Sequence, residues 1–233
     1  MSILAALNVY HDDDSSRCAA MNMAIDEGLL ERAEIPSIRF YRWGHAALSF
    51  GYFGRFADVA NYAARRDLVR RWTGGGIVSH GDDLTYSIVI PANDAAFSES
   101  TMSIYEKVHR ALRDALGSNS PELATVAAVC DCRIQINSAV ADRRYNDCFA
   151  NPVRADVMVN GRKVAGAAQR CTRAGLLHQG SIQHVDLGNG LAERFASELS
   201  DRCSPKFLDE RVIERAQEIA AQKYGTVAWL QKR

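Results

Sequence analysis

Neither sign of charge predominates in this chain: Lys and Arg together number 28, and so do Asp and Glu. Phosphate binding usually shows as a basic surplus, so the balance argues against nucleic acid as a partner. Basic pairs do occur locally, at Arg65–Arg66, Arg70–Arg71 and Arg143–Arg144. Long apolar runs are also missing, and none approaches the roughly 18–20 residues of a membrane span. The apolar stretch from Met1 to His11 has no basic flank and no small-residue cleavage site, and it runs into Asp12–Asp13–Asp14. No signal peptide is read, so the expected compartment is the cytoplasm, with no membrane association. Repeats and low-complexity linkers are absent. Six cysteines are scattered through 233 residues, too long a chain to need a disulfide framework. Cys130 and Cys132 are close, but no second Cys/His pair at ligand spacing accompanies them, so no metal site is expected.

What is present is a regular succession of helix and strand patterns. Met21, Ile25 and Leu29 recur at helical spacing and predict an amphipathic helix from about Ser16 to Ala33, capped by Ser15 or Ser16. Ile38 to Trp43 and Ala47 to Tyr52 read as strands joined through Gly44, followed by a short helix around Val59–Leu68 and a strand ending at Trp72. Ile77–Ser79 and Leu84–Ile90 look like a strand pair. Ser103 is placed to cap a helix with Ile104, Val108, Ala111, Leu112, Ala115 and Leu116 on one face, ended by Gly117. Residues 118–152 show little periodicity beyond a possible strand near Cys132–Ile136. Asn160–Gly161 between Asp156–Val159 and Arg162–Ala168 is a strong hairpin signal. A strand over Gly175–Gln183 and helices over Leu191–Leu199 and Leu208–Gln222 complete the chain. Hairpins with interspersed helices predict a single α+β domain over 1–233, with a mixed, largely antiparallel sheet flanked by helices.

Three stretches carry chemistry. In Arg70-Arg71-Trp72-Thr73-Gly74-Gly75-Gly76-Ile77-Val78-Ser79-His80, three consecutive glycines are costly to order. They are useful where backbone must approach a ligand or where N–H groups converge on an anion. The arginines before them can grip a phosphate or carboxylate bidentately. Alone, the pattern is also compatible with a glycine hairpin and two solvated arginines; it matches neither a P-loop nor a dinucleotide turn. In Gly161-Arg162-Lys163-Val164-Ala165-Gly166-Ala167-Ala168, a lysine follows a tight turn on a strand of small residues that leave room for a ligand. Such a lysine can meet a carbonyl oxygen or phosphate as a point charge, although by itself it reads as an exposed hairpin residue. His178-Gln179-Gly180-Ser181 offers a histidine that is a base or, more commonly, a packing residue.

Taken together and in order, these stretches resemble the lipoate-protein ligase and octanoyltransferase superfamily, which shares a fold with biotin protein ligases. The family pattern is R-R-x-T-G-G-G-x-V-x-H, L-x-Y-S, G-R-K-x-x-G-x-A and H-x-G-S/T. Leu84-Thr85-Tyr86-Ser87 supplies the second motif, Asn22 to Glu27 resembles the family's first helix, and Ile38 to Trp43 its first core strand. The resemblance spans about residues 20–200. It implies an enzyme that attaches a medium-chain acyl group, octanoyl or lipoyl, to a lysine of a lipoyl domain or glycine-cleavage H-type protein. It also implies a substrate site formed by Arg70, Arg71, Thr73, Gly74, Gly75, Gly76, His80, Gly166, Ala167 and His178, with Lys163 contacting the transferred carbonyl. A monomer is expected by the same resemblance.

The family runs two chemistries. Ligases use ATP and Mg²⁺ to make an acyl-adenylate; octanoyltransferases need no cofactor and take the chain from acyl carrier protein through a cysteine thioester. Asn146-Asp147-Cys148-Phe149-Ala150-Asn151-Pro152 resembles the C-F-x-x-P segment of the monomeric octanoyltransferases of Gram-positive bacteria, where the cysteine is the nucleophile. Lys163 follows fifteen positions later, although Val153-Arg154-Ala155-Asp156 lacks the aromatic residues of that pattern. About fifty residues follow Ser181, too few for the accessory domain of single-chain ligases. The expectation is therefore an octanoyltransferase with Cys148 and Lys163 catalytic and the tail against Leu48, Phe50 and Ala167. The alternatives are an ATP-dependent ligase with Cys148 a bystander, and a non-catalytic lipoate-binding module.

Overall fold

A computed structural model describes residues 2–117 and 155–232. In chain order the elements are β1 (Leu7–Asp12), α1 (Ala19–Arg32), β2 (Ser37–Tyr41), β3 (Ala47–Phe50), β4 (Asp67–Arg70), β5 (Ile77–His80), β6 (Leu84–Pro91) and α2 (Thr101–Gly117), then β7 (Val157–Val159), β8 (Arg162–Cys171), β9 (Gly175–Ile182), α3 (Leu191–Leu199), β10 (Cys203–Lys206), α4 (Glu210–Ile219) and α5 (Val227–Leu230). Cys130, Cys132, Cys148, the Arg143–Arg144 pair and the strand expected near Cys132–Ile136 lie outside the described residues. No described helix is long and apolar enough to cross a membrane.

The larger sheet has the order β10-β1-β2-β6-β9-β8-β7, parallel across its first two pairings and antiparallel across the rest. A smaller sheet, β4-β3-β5, stands apart. This is the expected α+β class with a mixed, largely antiparallel sheet. Along β6, Ile88 and Ile90 pack with α2 and α3, while Val89 packs with α1 and α4. Both faces of the central strands are thus covered by helices, and every residue of β6 and β9 is buried. The Asn160–Gly161 turn joins β7 to β8 with φ of 48° and 75°, the doubly positive conformation that this dipeptide favours.

Several local expectations change. β5 and β6 do not pair with each other: β5 joins β3 in the small sheet and β6 joins β2 and β9 in the large one. The segment expected as a short helix before β4 is instead two tight helical turns, Phe56–Asp58 and Ala60–Tyr62. Helix α1 starts at Ala19, and its first amide donates not to a local serine but to Asp67 Oδ2, 2.6 Å away. Ser100 rather than Ser103 caps α2, accepting from the Ser103 amide at 3.1 Å. The amphipathic reading of α1 also fails, because α4 covers the face that would otherwise meet solvent, so residues 22–30 are all buried.

That burial includes Asn22, Asp26 and Glu27, and buried polar groups need partners. Arg39 of β2, wholly buried, donates to Asp26 Oδ1 at 2.8 Å, to Asn22 Oδ1 at 2.7 Å and to Asp12 Oδ2 from Nε at 2.9 Å. Asp26 also accepts from Ser87 Oγ of β6 at 2.7 Å and from Gln179 Nε2 of β9 at 2.7 Å. One carboxylate therefore ties α1 to three neighbouring strands. Breaking a buried ion pair leaves an uncompensated charge and costs about 3–5 kcal/mol. Asp26→Ala is accordingly expected to lower unfolding free energy by about 3–5 kcal/mol in denaturant titrations, and a loss under about 1 kcal/mol would contradict this role.

Candidate functional site

Small residues on β8 and β9 open a cavity of about 490 Å³, counting the space at its mouth, where the large sheet meets the small one. Its walls include Met23 of α1, Tyr41 and Trp43 at the end of β2, Ser49 of β3, Arg71 after β4 and His80 of β5, facing Lys163, Gly166, Ala167 and Ala168 of β8. Gln179, Gly180 and Ser181 of β9 complete it.

Lys163 is 6% exposed and pairs with Asp156 Oδ2 at 2.7 Å. It reaches the cavity through a bulge: Met158 opposes Lys163 while Val157 opposes Ala165, so one residue of β8 is extra. The bulge re-aims the strand and brings Lys163 onto the face of Gly166, whose missing side chain makes room for it. A Cβ at Gly166 would overlap Lys163 Cε and Nζ. Tyr105 of α2 donates to the other Asp156 oxygen at 2.6 Å, and its own oxygen accepts from the Ala167 amide at 3.3 Å. Burial, then the Asp156 charge, raises the Tyr105 hydroxyl far above its usual range, so it remains a donor.

Opposite Lys163 lies a chain of polar groups. Arg71 Nη1 donates to Ser49 Oγ at 2.6 Å, Ser49 Oγ meets His80 Nε2 at 2.7 Å, and His80 Nδ1 meets Asp83 Oδ2 at 2.8 Å. Trp43 stacks on the imidazole with ring centres 4.1 Å apart. Burial pushes His80 below its ordinary pKa, with Arg71 and Arg66 adding to the fall and Asp83 opposing it. Burial acts to raise Asp83, but hydrogen bonds from His80, Ser181 and the Gly81 amide outweigh it and keep the carboxyl low. The contact is therefore a neutral imidazole on a carboxylate. A carboxylate only accepts, so Nδ1 carries the proton and Nε2 accepts from Ser49.

The predicted site residues separate into three groups. Arg71, His80, Lys163, Gly166 and Ala167 line the cavity as expected. Thr73 does not line it but donates to Gln179 Oε1 at 2.8 Å, which joins the glycine segment to Asp26. Gly74, Gly75 and Gly76 are not among the residues that line the cavity. Gly75 has φ of 84° and folds its carbonyl onto Gly51, while the Gly74 and Gly76 carbonyls accept from Arg71 at 3.1 and 2.8 Å. Those two carbonyls help to orient Arg71. Arg70 and His178 lie away from the cavity. The Arg70 guanidinium is used on backbone carbonyls of Tyr52, Gly54, Trp229, Leu230 and Lys232 at 2.6–3.2 Å, strapping down the chain beyond α4. His178 points to the opposite face of β9, wholly buried beside Tyr86 and Gln169. Leu48 and Phe50 likewise face away, into a cluster with Val59; Ser49 between them faces the cavity.

Sequence reasoning missed Ser49, Asp83, Asp156 and Gln179. The hairpin register carried a signal for Asp156, since a turn at Asn160–Gly161 sets it near the residues that follow Lys163. Gln179 sits inside the His178-Gln179-Gly180-Ser181 motif, but nothing local marks it as facing the cavity. Among the described residues no three His, Cys, Asp or Glu side chains gather as a metal site.

The model of a family described as the lipoyl protein ligase A/B catalytic domain matches residues 18–187. The protein named octanoyltransferase LipM of Oceanobacillus iheyensis is 32% identical, with 92% of this chain matched to 79% of that one. The protein of the same name from Bacillus anthracis is 33% identical, with 90% of this chain matched to 74% of that one. Among solved structures, a lipoate-protein ligase A bound with ATP has TM-score 0.67 at 20% identity, covering 99% of both chains. A bi-partite lipoate protein ligase from Thermoplasma acidophilum has TM-score 0.64 at 17% identity, covering 98% of this chain and 96% of that one. At such identities the likeness bears on the fold alone.

Displacing the Lys163 ammonium is the most selective test of the cavity. Gly166→Ala displaces Lys163 Cε and Nζ and crowds Asp156 Oδ1. It is expected to lower the melting temperature, since the Lys163–Asp156 pair is buried, while the folded protein at a temperature well below its transition loses acyl transfer at least about tenfold. Unchanged transfer would remove Lys163 from the reaction.

Proposed function

The chain belongs to the lipoyl protein ligase A/B catalytic domain family, and from that premise we propose that it transfers an octanoyl group to a lysine of a lipoyl-domain or H-type carrier protein. The observation that carries this reading is the pairing of octanoyltransferase-named relatives, at about a third identity over nine-tenths of the chain, with a cavity that sets Lys163 and Arg71 around small residues. The donor is octanoyl-acyl carrier protein and the nucleophile is Cys148, seven residues ahead of Ala155, where the described chain resumes.

In the first step the Cys148 thiolate attacks the thioester carbonyl, the carbonyl electron pair moves to oxygen, and the carrier's thiolate leaves. The Lys163 ammonium pairs with Asp156 Oδ2 at 2.7 Å at the cavity wall. Donation from Lys163 and from the Arg71 guanidinium stabilises the oxyanion in a site shielded from water, where fixed cations act most strongly. In the second step the acceptor lysine, as a neutral amine, attacks the acyl-cysteine and leaves with the chain as an amide. Two nearby cations disfavour the ammonium form of that amine, which lowers the cost of removing its proton. Activity on a free carboxylate would require ATP and Mg²⁺, the ligase chemistry that the experiment below separates from transfer.

Intact-mass measurement of the enzyme mixed with octanoyl-acyl carrier protein, ATP absent, tests the reading. An octanoyl adduct is expected on the wild type and not on Cys148→Ala. Absence of the adduct, with a lipoyl domain modified only when octanoate, ATP and Mg²⁺ are supplied, would assign the chain to the ligases.

A further inference from the structure

Ser49, His80 and Asp83 have the mutual geometry of a nucleophile–base–orienter set, yet transfer through Cys148 gives them no task. We propose that Ser49 is a catalytic residue that accepts a proton from the attacking lysine amine, handing its own hydroxyl proton to His80 as a relay oriented by Asp83. The proposal rests on acyl transfer to an amine as the reaction, and holds whether the acyl group arrives as a thioester or an adenylate.

Ser49 lines the cavity, is 1% exposed, and lies between Arg71 and His80. A hydroxyl has one donor and two acceptor lone pairs. His80 Nε2 takes the donor, at 2.7 Å, and Arg71 Nη1 takes one lone pair, at 2.6 Å. The other lone pair suits an N–H donor entering the cavity. The guanidinium withdraws electron density from the oxygen and so eases loss of its proton to the imidazole. Direct use of His80 by the amine is less suited, because its Nε2 is already covered by Ser49.

The base is held in one state from every side. Asp83 Oδ2 accepts from Nδ1, from Thr85 Oγ1 of β6 at 2.9 Å and from Ser181 Oγ of β9 at 2.7 Å. Trp43 donates to Thr85 Oγ1 at 2.7 Å while stacking on the ring. Arg66 reaches the His80 carbonyl at 3.3 Å, and Tyr41 of β2 and Lys163 of β8 complete the charged and titratable surroundings. Burial above all, with Arg71 and Arg66 adding to it, opposes the imidazolium and keeps the ring neutral at rest, while Asp83 supports the charge as the proton arrives.

The amine nitrogen bonds to the acyl carbon and the carbonyl pair moves to oxygen. The now-acidic N–H proton passes to Ser49 Oγ as the Ser49 proton passes to Nε2. The tetrahedral species collapses, breaking the bond to the leaving sulfur or adenylate oxygen, and the imidazolium returns its proton through Ser49 to the leaving group or to water.

The test follows amide formation on a lipoyl domain against pH, between about pH 5 and 8, with octanoyl-acyl carrier protein and separately with octanoate, ATP and Mg²⁺. His80 ionises below its ordinary 6.5, and its protonation removes the acceptor. The wild-type log rate therefore steepens from slope one, set by the amine, to slope two on the acid side. Ser49→Ala is expected to lower the amide-forming rate about 100-fold and to keep slope one throughout, with acyl-enzyme still formed. Ser49→Thr restores both. Asp83→Asn, which presents the wrong tautomer, serves if Ser49→Ala does not fold, and is expected to lose the same limb. Wild-type rates and slopes in these variants, or an equal loss of acyl-enzyme formation in Ser49→Ala, would overturn the relay. Dependence on Ser49 with no Cys148 adduct would sink the transferase reading and leave the relay standing; no amide from either donor would end both.

Discussion

Asp26 is the charge around which this structure is arranged. It sits on a helix enclosed on every side, where an unpaired carboxylate would be costly. Its oxygens are met by Arg39, Ser87 and Gln179, one from each of three adjacent strands. Gln179, once its amide donates to Asp26, has its carbonyl oxygen left to accept from Thr73. The helix, the central sheet and the glycine segment are thus linked in one network, and the cavity is the space this network encloses on the side of β8 and β9. Rigid support of this kind is what a site needs if its cations are to be in place before the carbonyl arrives.

The two arginines ahead of the glycines illustrate how alternation divides labour. Arg71 turns inward to Ser49 and the glycine carbonyls, whereas Arg70, one position earlier, turns outward and gathers the backbone carbonyls of the chain's last turn. A motif that reads as a double anion clamp sets one arginine at the cavity and uses the other as a strap. Lys163 follows a similar logic, since a single extra residue in β8 decides that it shares a face with Gly166.

Features set by near neighbours were legible in the sequence. The Asn160–Gly161 turn, helix α3 and the buried face of α2 lie where turn chemistry and periodicity place them. Features set by distant partners were not. β5 and β6 read as a pair because they are consecutive, but the sheet to which each belongs depends on β3 and β9. α1 reads as amphipathic because nothing local announces α4 against its back. β1 and β10 escaped notice: the first lies in the apolar Met1–His11 stretch, which gave no strand signal, and the second is four exposed residues including Pro205, with no alternation to detect. In the site, Arg71, His80, Lys163, Gly166 and Ala167 were found from motifs, whereas Ser49 was passed over for Leu48 and Phe50, a displacement of one residue that exchanges the two faces of a strand. Cys148 lies outside the described residues, so its part rests on the chemistry alone.

Under the proposed reaction the octanoyl carbonyl sits in the field of Lys163 and Arg71 when the chain is transferred. Isotope-edited infrared spectroscopy of the enzyme carrying a carbon-13-labelled octanoyl carbonyl measures that field directly. The expected carbonyl stretch lies at lower frequency than the same group shows in water, with the shift diminished in Lys163→Met. A frequency equal to that in water, or one indifferent to Lys163→Met, would contradict it.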